Sequence, residues 1–264
     1  MPRATANGIE LYFETAGQGR RLLVISGTGG DLRRHPNVLD GPLPNDFTVL
    51  CYDQRGLGRS DKPESVYTMA DYAQDAAGLL EHLSWPSCAV VGISFGGMVA
   101  QELVLRHPAL VDRLVLVCTS AGGAGGSSYP LHELEELEEP ERVGLMLGLL
   151  DTRQDAAWQA AHRQEAASQR SALTRPAVRD EAMAAGSRRQ LEARRHHDTW
   201  DRLAEIRVPV MVCGGLYDGV APPENLENLA ARIPGAELSF FEGGHVFLLQ
   251  DPAAWSAITK FLDA

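Results

Sequence analysis

The chain has 264 residues, 44% of them hydrophobic and 22% charged, enough to bury a large apolar core without a metal or disulfide staple. Its formal net charge is -11 and its pI about 5.2; such a chain repels phosphate backbones and anionic lipid, so no nucleic-acid partner and no membrane partner are expected. No apolar run is long enough to span a bilayer, and the N-terminal MPRATANGIELYF lacks the apolar centre of a signal peptide, so the expected location is cytoplasmic.

In chain order, residues 8–15 (GIELYFET) alternate as an edge strand does. Continuously apolar runs follow at 21–27, 47–53, 88–94, 113–120 and 208–215, with a further strand at 236–244. Such runs fit parallel strands covered on both faces. Between them, Tyr72, Ala76, Leu79, Leu80 and Leu83 recur at helical spacing over residues 68–83, and Thr68 with Asp71 resembles a capping box with Asp in place of the usual Glu. Helices are also expected after Ser94 as far as His107-Pro108, over 223–235, and over 251–264. Strands alternating with helices predict an α/β fold with a mostly parallel central sheet flanked by helices. Residues 121–207 interrupt the rhythm: a Gly/Ser-rich opening, an acidic HELEELEEPE stretch, helix-like segments and a basic run, without a strand. They are expected to form a helical insertion into a core made of residues 1–120 and 208–264.

Cys51, Cys88, Cys118 and Cys213 each lie in or beside an apolar strand-like run and form no CxxC pair. A zinc knuckle or dithiol redox motif is not expected, and all four are expected to pack in the core, with a catalytic thiol as the alternative. His132, His196 and His197 in the insertion lack further ligands at suitable spacing, so no metal is expected.

Gly92-Ile93-Ser94-Phe95-Gly96 places a serine between glycines, where an apolar strand gives way to a helix. A turn would explain those residue types. A nucleophile held on a sharp strand–helix corner explains the setting as well. A serine hydroxyl needs a base to attack, and that base needs an acid to fix its tautomer. His245, in EGGHVFLLQ, follows the last strand; Asp218, in GGLYDGVAPP, follows the strand before it. Ser94, Asp218 and His245 thus lie on strand-end loops, where open α/β sheets bind ligands.

With these residues in view, the chain resembles the α/β-hydrolase fold family over nearly its full length. YDQRGLGRSDKP (52–63) is similar to that family's D-x-R-G-x-G-x-S loop, GISFGG to its nucleophile elbow, GLYDGVAPP to its acid loop and EGGHVFLLQDP to its histidine loop. The resemblance implies an α/β-hydrolase fold with residues 121–207 as a helical cap, a Ser94–Asp218–His245 triad and no cofactor. It also implies an oxyanion hole from the backbone N–H groups of Phe95 and Thr28. Many members carry His-Gly where this chain has Ser26-Gly27; the donor is backbone, so the exchange need not remove it.

Arg33, Arg34, Met146, Trp158, Val220 and Val246 are candidate substrate contacts, and Arg55 is expected to tie loops together. An apolar roof from Met146, Leu147, Leu150 and Trp158 favours a small or medium ester or lactone. Carbon–carbon bond hydrolysis, lyase chemistry with the triad as base, and non-catalytic ligand binding are the alternatives. A serine at the elbow argues against haloalkane dehalogenase and epoxide hydrolase chemistry, which use a carboxylate there.

Overall fold

The computed structural model describes residues 2–173 and 181–264. Eight strands form one sheet: β1 (Arg3–Ala6), β2 (Ile9–Ala16), β3 (Arg20–Ile25), β4 (Phe47–Tyr52), β5 (Cys88–Ile93), β6 (Val111–Val117), β7 (Val210–Gly215) and β8 (Glu237–Phe241). Their order is β1-β2-β4-β3-β5-β6-β7-β8. The β1–β2 and β2–β4 pairs are antiparallel and the rest parallel. Every strand expected from the sequence is present. The 8–15 run is not the edge, however: the short β1, too brief to carry a pattern, pairs outside it.

The helices of the layered core are α1 (Met69–His82) and α2 (Phe95–Arg106). Between β6 and β7 come α3 (Glu139–Leu150), α4 (Ala156–Ala161), α5 (Arg163–Leu173) and α6 (Glu181–Arg195). No strand interrupts them among the described residues; residues 174–180 of the expected insertion lie outside these. The chain ends with α7 (Pro223–Arg232), α8 (Phe247–Gln250) and α9 (Ala253–Asp263). Thr68 and Asp71 close the expected capping box at α1. The expected 251–264 helix is α9, preceded by the separate short turn of α8 behind His245.

The sheet splits the core in two. One face packs Leu23, Ile25, Leu50, Val90, Leu114 and Leu116 against α1, α2 and α7. The other packs Leu22, Val24, Val49, Val91 and Val115 against α9 through Ile258 and Leu262. Alternate residues of the same strands feed opposite faces, so the interior strands read as unbroken apolar runs. None of the described helices is long and apolar enough to cross a membrane.

Polar ties fix the loops at the C-terminal ends of the strands. Asp53 Oδ1 accepts the Leu32 N–H at 2.7 Å and Oδ2 the Arg59 N–H at 2.8 Å, joining the loops after β3 and β4. Arg55 grips Asp75 of α1 through two 2.6 Å bonds, and the Asp75 side chain is fully buried. Arg55 is structural, as expected, but it ties its loop to α1 rather than to another loop. Removing one charge of such a pair leaves the other buried and uncompensated. Asp75→Asn is therefore expected to lower unfolding free energy by about 3–5 kcal/mol, measured as a lower urea midpoint with an unchanged m-value.

Candidate active site

Ser94 caps the N-terminus of α2 with φ 55° and ψ -115°, a left-handed backbone that non-glycine residues rarely adopt. Several contacts hold it there. Its N–H donates to Val117 O at 2.8 Å, and Thr119 Oγ1 donates to its carbonyl at 2.8 Å. The flanking glycines are required by crowding. A Cβ on Gly96 would lie 2.0 Å from Ile25 O, and one on Gly92 2.5 Å from Gly96 O. Ser94 makes no side-chain capping bond to its helix, which leaves its hydroxyl for another partner.

That partner is His245, on the loop after β8. Its Nε2 lies 3.0 Å from Ser94 Oγ and its Nδ1 2.7 Å from Asp218 Oδ2. A carboxylate only accepts, so Nδ1 carries a proton, and in the neutral ring Nε2 is the acceptor facing the serine. Asp218, 2% exposed, sits on the loop after β7. Its other oxygen accepts the N–H groups of Val220 and Ala221, each at 2.8 Å. Three residues far apart in sequence therefore form one directed chain of hydrogen bonds.

The expectation for Cys118 needs extending. All four cysteines are free and buried, but Cys118 also faces the site. Its sulfur, a carboxylate oxygen of Asp218 and a ring nitrogen of His245 lie within 4.8 Å of one another. Burial disfavours charge on His245, while the neighbouring Cys118 sulfur and the Asp218 carboxylate favour it; the balance raises the imidazole above its ordinary value. The position of Cys118 at the end of β6 was its only sequence signal.

The loop after β3 runs against the serine, as the pairing of Ile25 with Gly92 requires. A Cβ on Gly27 would lie 3.4 Å from Ser94 Cβ. Gln54 Nε2 donates to Ser26 O at 2.7 Å, and Gly30 N–H closes a turn onto Gly27 O at 3.2 Å. Gln190 of α6 accepts the Gly29 N–H at 2.9 Å, a tie that sequence reasoning missed. Phe95 is the first residue of α2, so its N–H has no acceptor within the helix.

Thr28, Arg34 and Met146 share a cavity of about 510 Å³ between this loop, α3 and α6. The expected apolar roof is mixed instead: Leu134, Val143 and Leu191 line it beside Glu139, Arg142 and Arg188. The expected roof residues Leu147, Leu150 and Trp158 are not among its lining residues. Leu147 is buried, and Trp158 stacks on His162 with ring centres 4.5 Å apart. Arg33 is held by Asp31 at 2.7 Å. Val220 reaches the site through its backbone bond to Asp218, and Val246, 38% exposed, follows His245.

The crowding at the elbow sets a direct test. Gly96→Ala is expected to lower unfolding free energy by about 3 kcal/mol, read from denaturant midpoints.

The comparisons with known proteins agree with this architecture. The alpha/beta hydrolase fold family profile matches residues 20–174. An uncharacterized protein of Mycobacterium tuberculosis is 41% identical over 119 residues, a match covering 45% of this chain and 34% of that protein. The matched part thus spans about a third of that relative's length. A Variovorax paradoxus protein, provisionally named a carbamate hydrolase, is 30% identical over 259 residues, with 93% of each chain covered. The enol-lactonase of Burkholderia xenovorans LB400 superposes with a TM-score of 0.80 at 24% identity, covering 100% of both chains. With its sheet order, strained serine corner and strand-end loops, the chain belongs to the alpha/beta hydrolase fold family.

Proposed function

We propose that this protein is a serine hydrolase that cleaves a small or medium carboxylic ester or lactone through an acyl-enzyme on Ser94. The observation that carries the reading is the continuous chain Ser94 Oγ–His245 Nε2, His245 Nδ1–Asp218. His245 takes the Ser94 proton as Oγ attacks the substrate carbonyl. The backbone N–H groups of Phe95 and Thr28 receive the developing oxyanion. His245 then passes its proton to the leaving alkoxide, which departs as an alcohol. Water, deprotonated by the same imidazole, attacks the acyl-enzyme, and the returning proton restores Ser94 as the acid leaves. Every atom and proton is supplied by substrate, water and these side chains.

The cavity beside Thr28 is the proposed substrate pocket. Its size suits a small or medium molecule, and its mix of aliphatic and charged walls suits one with both apolar and polar parts. Gln190, holding the Gly29 N–H, acts as a positioning residue for the oxyanion loop. The carbamate hydrolase name of the Variovorax relative points to the same kind of carbonyl chemistry. The helices between β6 and β7 serve as the cap.

A fluorophosphonate probe tests the nucleophile. The wild type is expected to gain one adduct by intact mass and the Ser94→Ala variant none; an unlabelled, folded wild type would overturn the reading. The labelling rate should rise with pH as His245 loses its proton. Asp218 is one of the groups that raise the imidazole, so Asp218→Asn should move that rise to lower pH. The same variant should cut ester turnover by about 10³–10⁴-fold.

A further inference from the structure

A second cavity, of about 190 Å³, lies beside the first turns of α2. Met98, Ser120, Ser128, His132, Arg194 and His197 line it, and the exposed Ser127 and Arg195 mark its rim. It shares no lining residue with the cavity beside Thr28.

Its polar groups are poorly satisfied. Arg194 is 6% exposed. One terminal nitrogen donates to Tyr129 O at 2.7 Å, while Nε and the other terminal nitrogen are buried without a partner. Among the described residues no carboxylate forms an ion pair with it. Arg55, Arg33 and Arg153, by contrast, pair with Asp75, Asp31 and Asp151. Glu102, the acid that acts on neighbouring His197, is already shared by Arg106 and Arg202. Burial pulls the Arg194 guanidinium down to about 10 with no acid to oppose it.

His197 adds an opposite need. Its Nε2 lies 3.2 Å from Ser120 O, which only accepts, so Nε2 carries the proton. Burial pulls this imidazole down to about 4, so the ring is neutral and Nδ1 is a bare acceptor. That Nδ1 is buried without a partner. Water could satisfy the N–H groups of Arg194 but not neutralise its charge, and a buried unpaired charge is costly.

We propose that this cavity binds a small oxyanion that carries its own hydroxyl, as monohydrogen phosphate or a short hydroxycarboxylate does. The anionic oxygens would take the two free guanidinium nitrogens of Arg194, and the hydroxyl would donate to His197 Nδ1. The site is independent of the hydrolytic reading: it uses none of the residues proposed for catalysis.

Isothermal titration of the full chain in an anion-poor zwitterionic buffer tests the assignment, with sodium phosphate and sodium glycolate as probes and sodium acetate and chloride as comparators. Saturable binding of phosphate or glycolate is expected, and whichever binds more tightly identifies the source of the oxyanion. Arg194→Gln should weaken it by about tenfold or more, because charge-assisted bonds are lost. In anion-free buffer the same variant should melt no lower than the wild type, since it sheds an uncompensated charge. Should Arg194→Gln fail to fold, Arg194→Lys keeps the charge without the fork and should weaken binding by a similar factor. Absence of binding by both probes, equal affinity for acetate or chloride, or unchanged affinity in the folded Arg194 variant would overturn the proposal.

Discussion

The close approach of three backbone segments around Ser94 is the constraint on which the rest of this structure depends. The end of β3 lies against the first turn of α2 so tightly that no side chain fits at Gly96. The Val117 carbonyl of β6 takes the Ser94 N–H from the other side. A serine in a left-handed backbone costs on the order of 1–3 kcal/mol, and it persists because its neighbours on both strands over-determine it. The corner in turn sets where everything else must go. The hydroxyl points away from its own helix, the loop after β3 runs beside it, and the loops after β7 and β8 converge on it. The parallel sheet makes this possible, since all these loops leave from the same edge.

Much of this was legible in the sequence, for identifiable reasons. Parallel strands buried on both faces produce unbroken apolar runs, and these marked β3, β4, β5, β6 and β7, while alternation marked β2. Thr68 and Asp71 announced the start of α1 because a capping box is a local device. Ser94, Asp218 and His245 could be chosen because each directly follows a recognisable strand. What the sequence hid is what tertiary contact creates. The β1 strand has four residues and gains its identity only by pairing. Cys118 looks like any other apolar-strand cysteine until the fold turns its sulfur toward His245. Gln190 sits in a polar stretch of α6, and nothing local indicates that it reaches the Gly29 N–H. The charged wall of the Thr28 cavity was hidden for the same reason, because Arg142 and Arg188 lie on different helices.

Charge placement separates two kinds of polar group in this chain. The Arg55–Asp75 and Asp53 networks are closed: each buried donor or acceptor meets its complement, and the result is loop rigidity. The groups around Arg194 and His197 are open, with a guanidinium and an imidazole nitrogen left over. Among the described residues Arg55 and Arg33 meet carboxylates, whereas the buried Arg194 guanidinium meets none. Such exceptions cluster where a protein meets something other than itself.

The last turn of α3 touches both loops that carry the acid and the histidine. Leu149 O accepts the Gly219 N–H at 2.9 Å, Leu150 O accepts the His245 N–H at 2.7 Å, and Thr152 N–H donates to Tyr217 O at 2.9 Å. A Cβ on Gly244 would lie 1.9 Å from Leu150 O. The helical segment is therefore bonded into the loops that carry Asp218 and His245. A chimaera that exchanged it for another helical segment would have to keep residues 149–152 as part of the recipient scaffold. The natural graft boundary falls just before Leu149, within the last turn of α3, not at the end of β6.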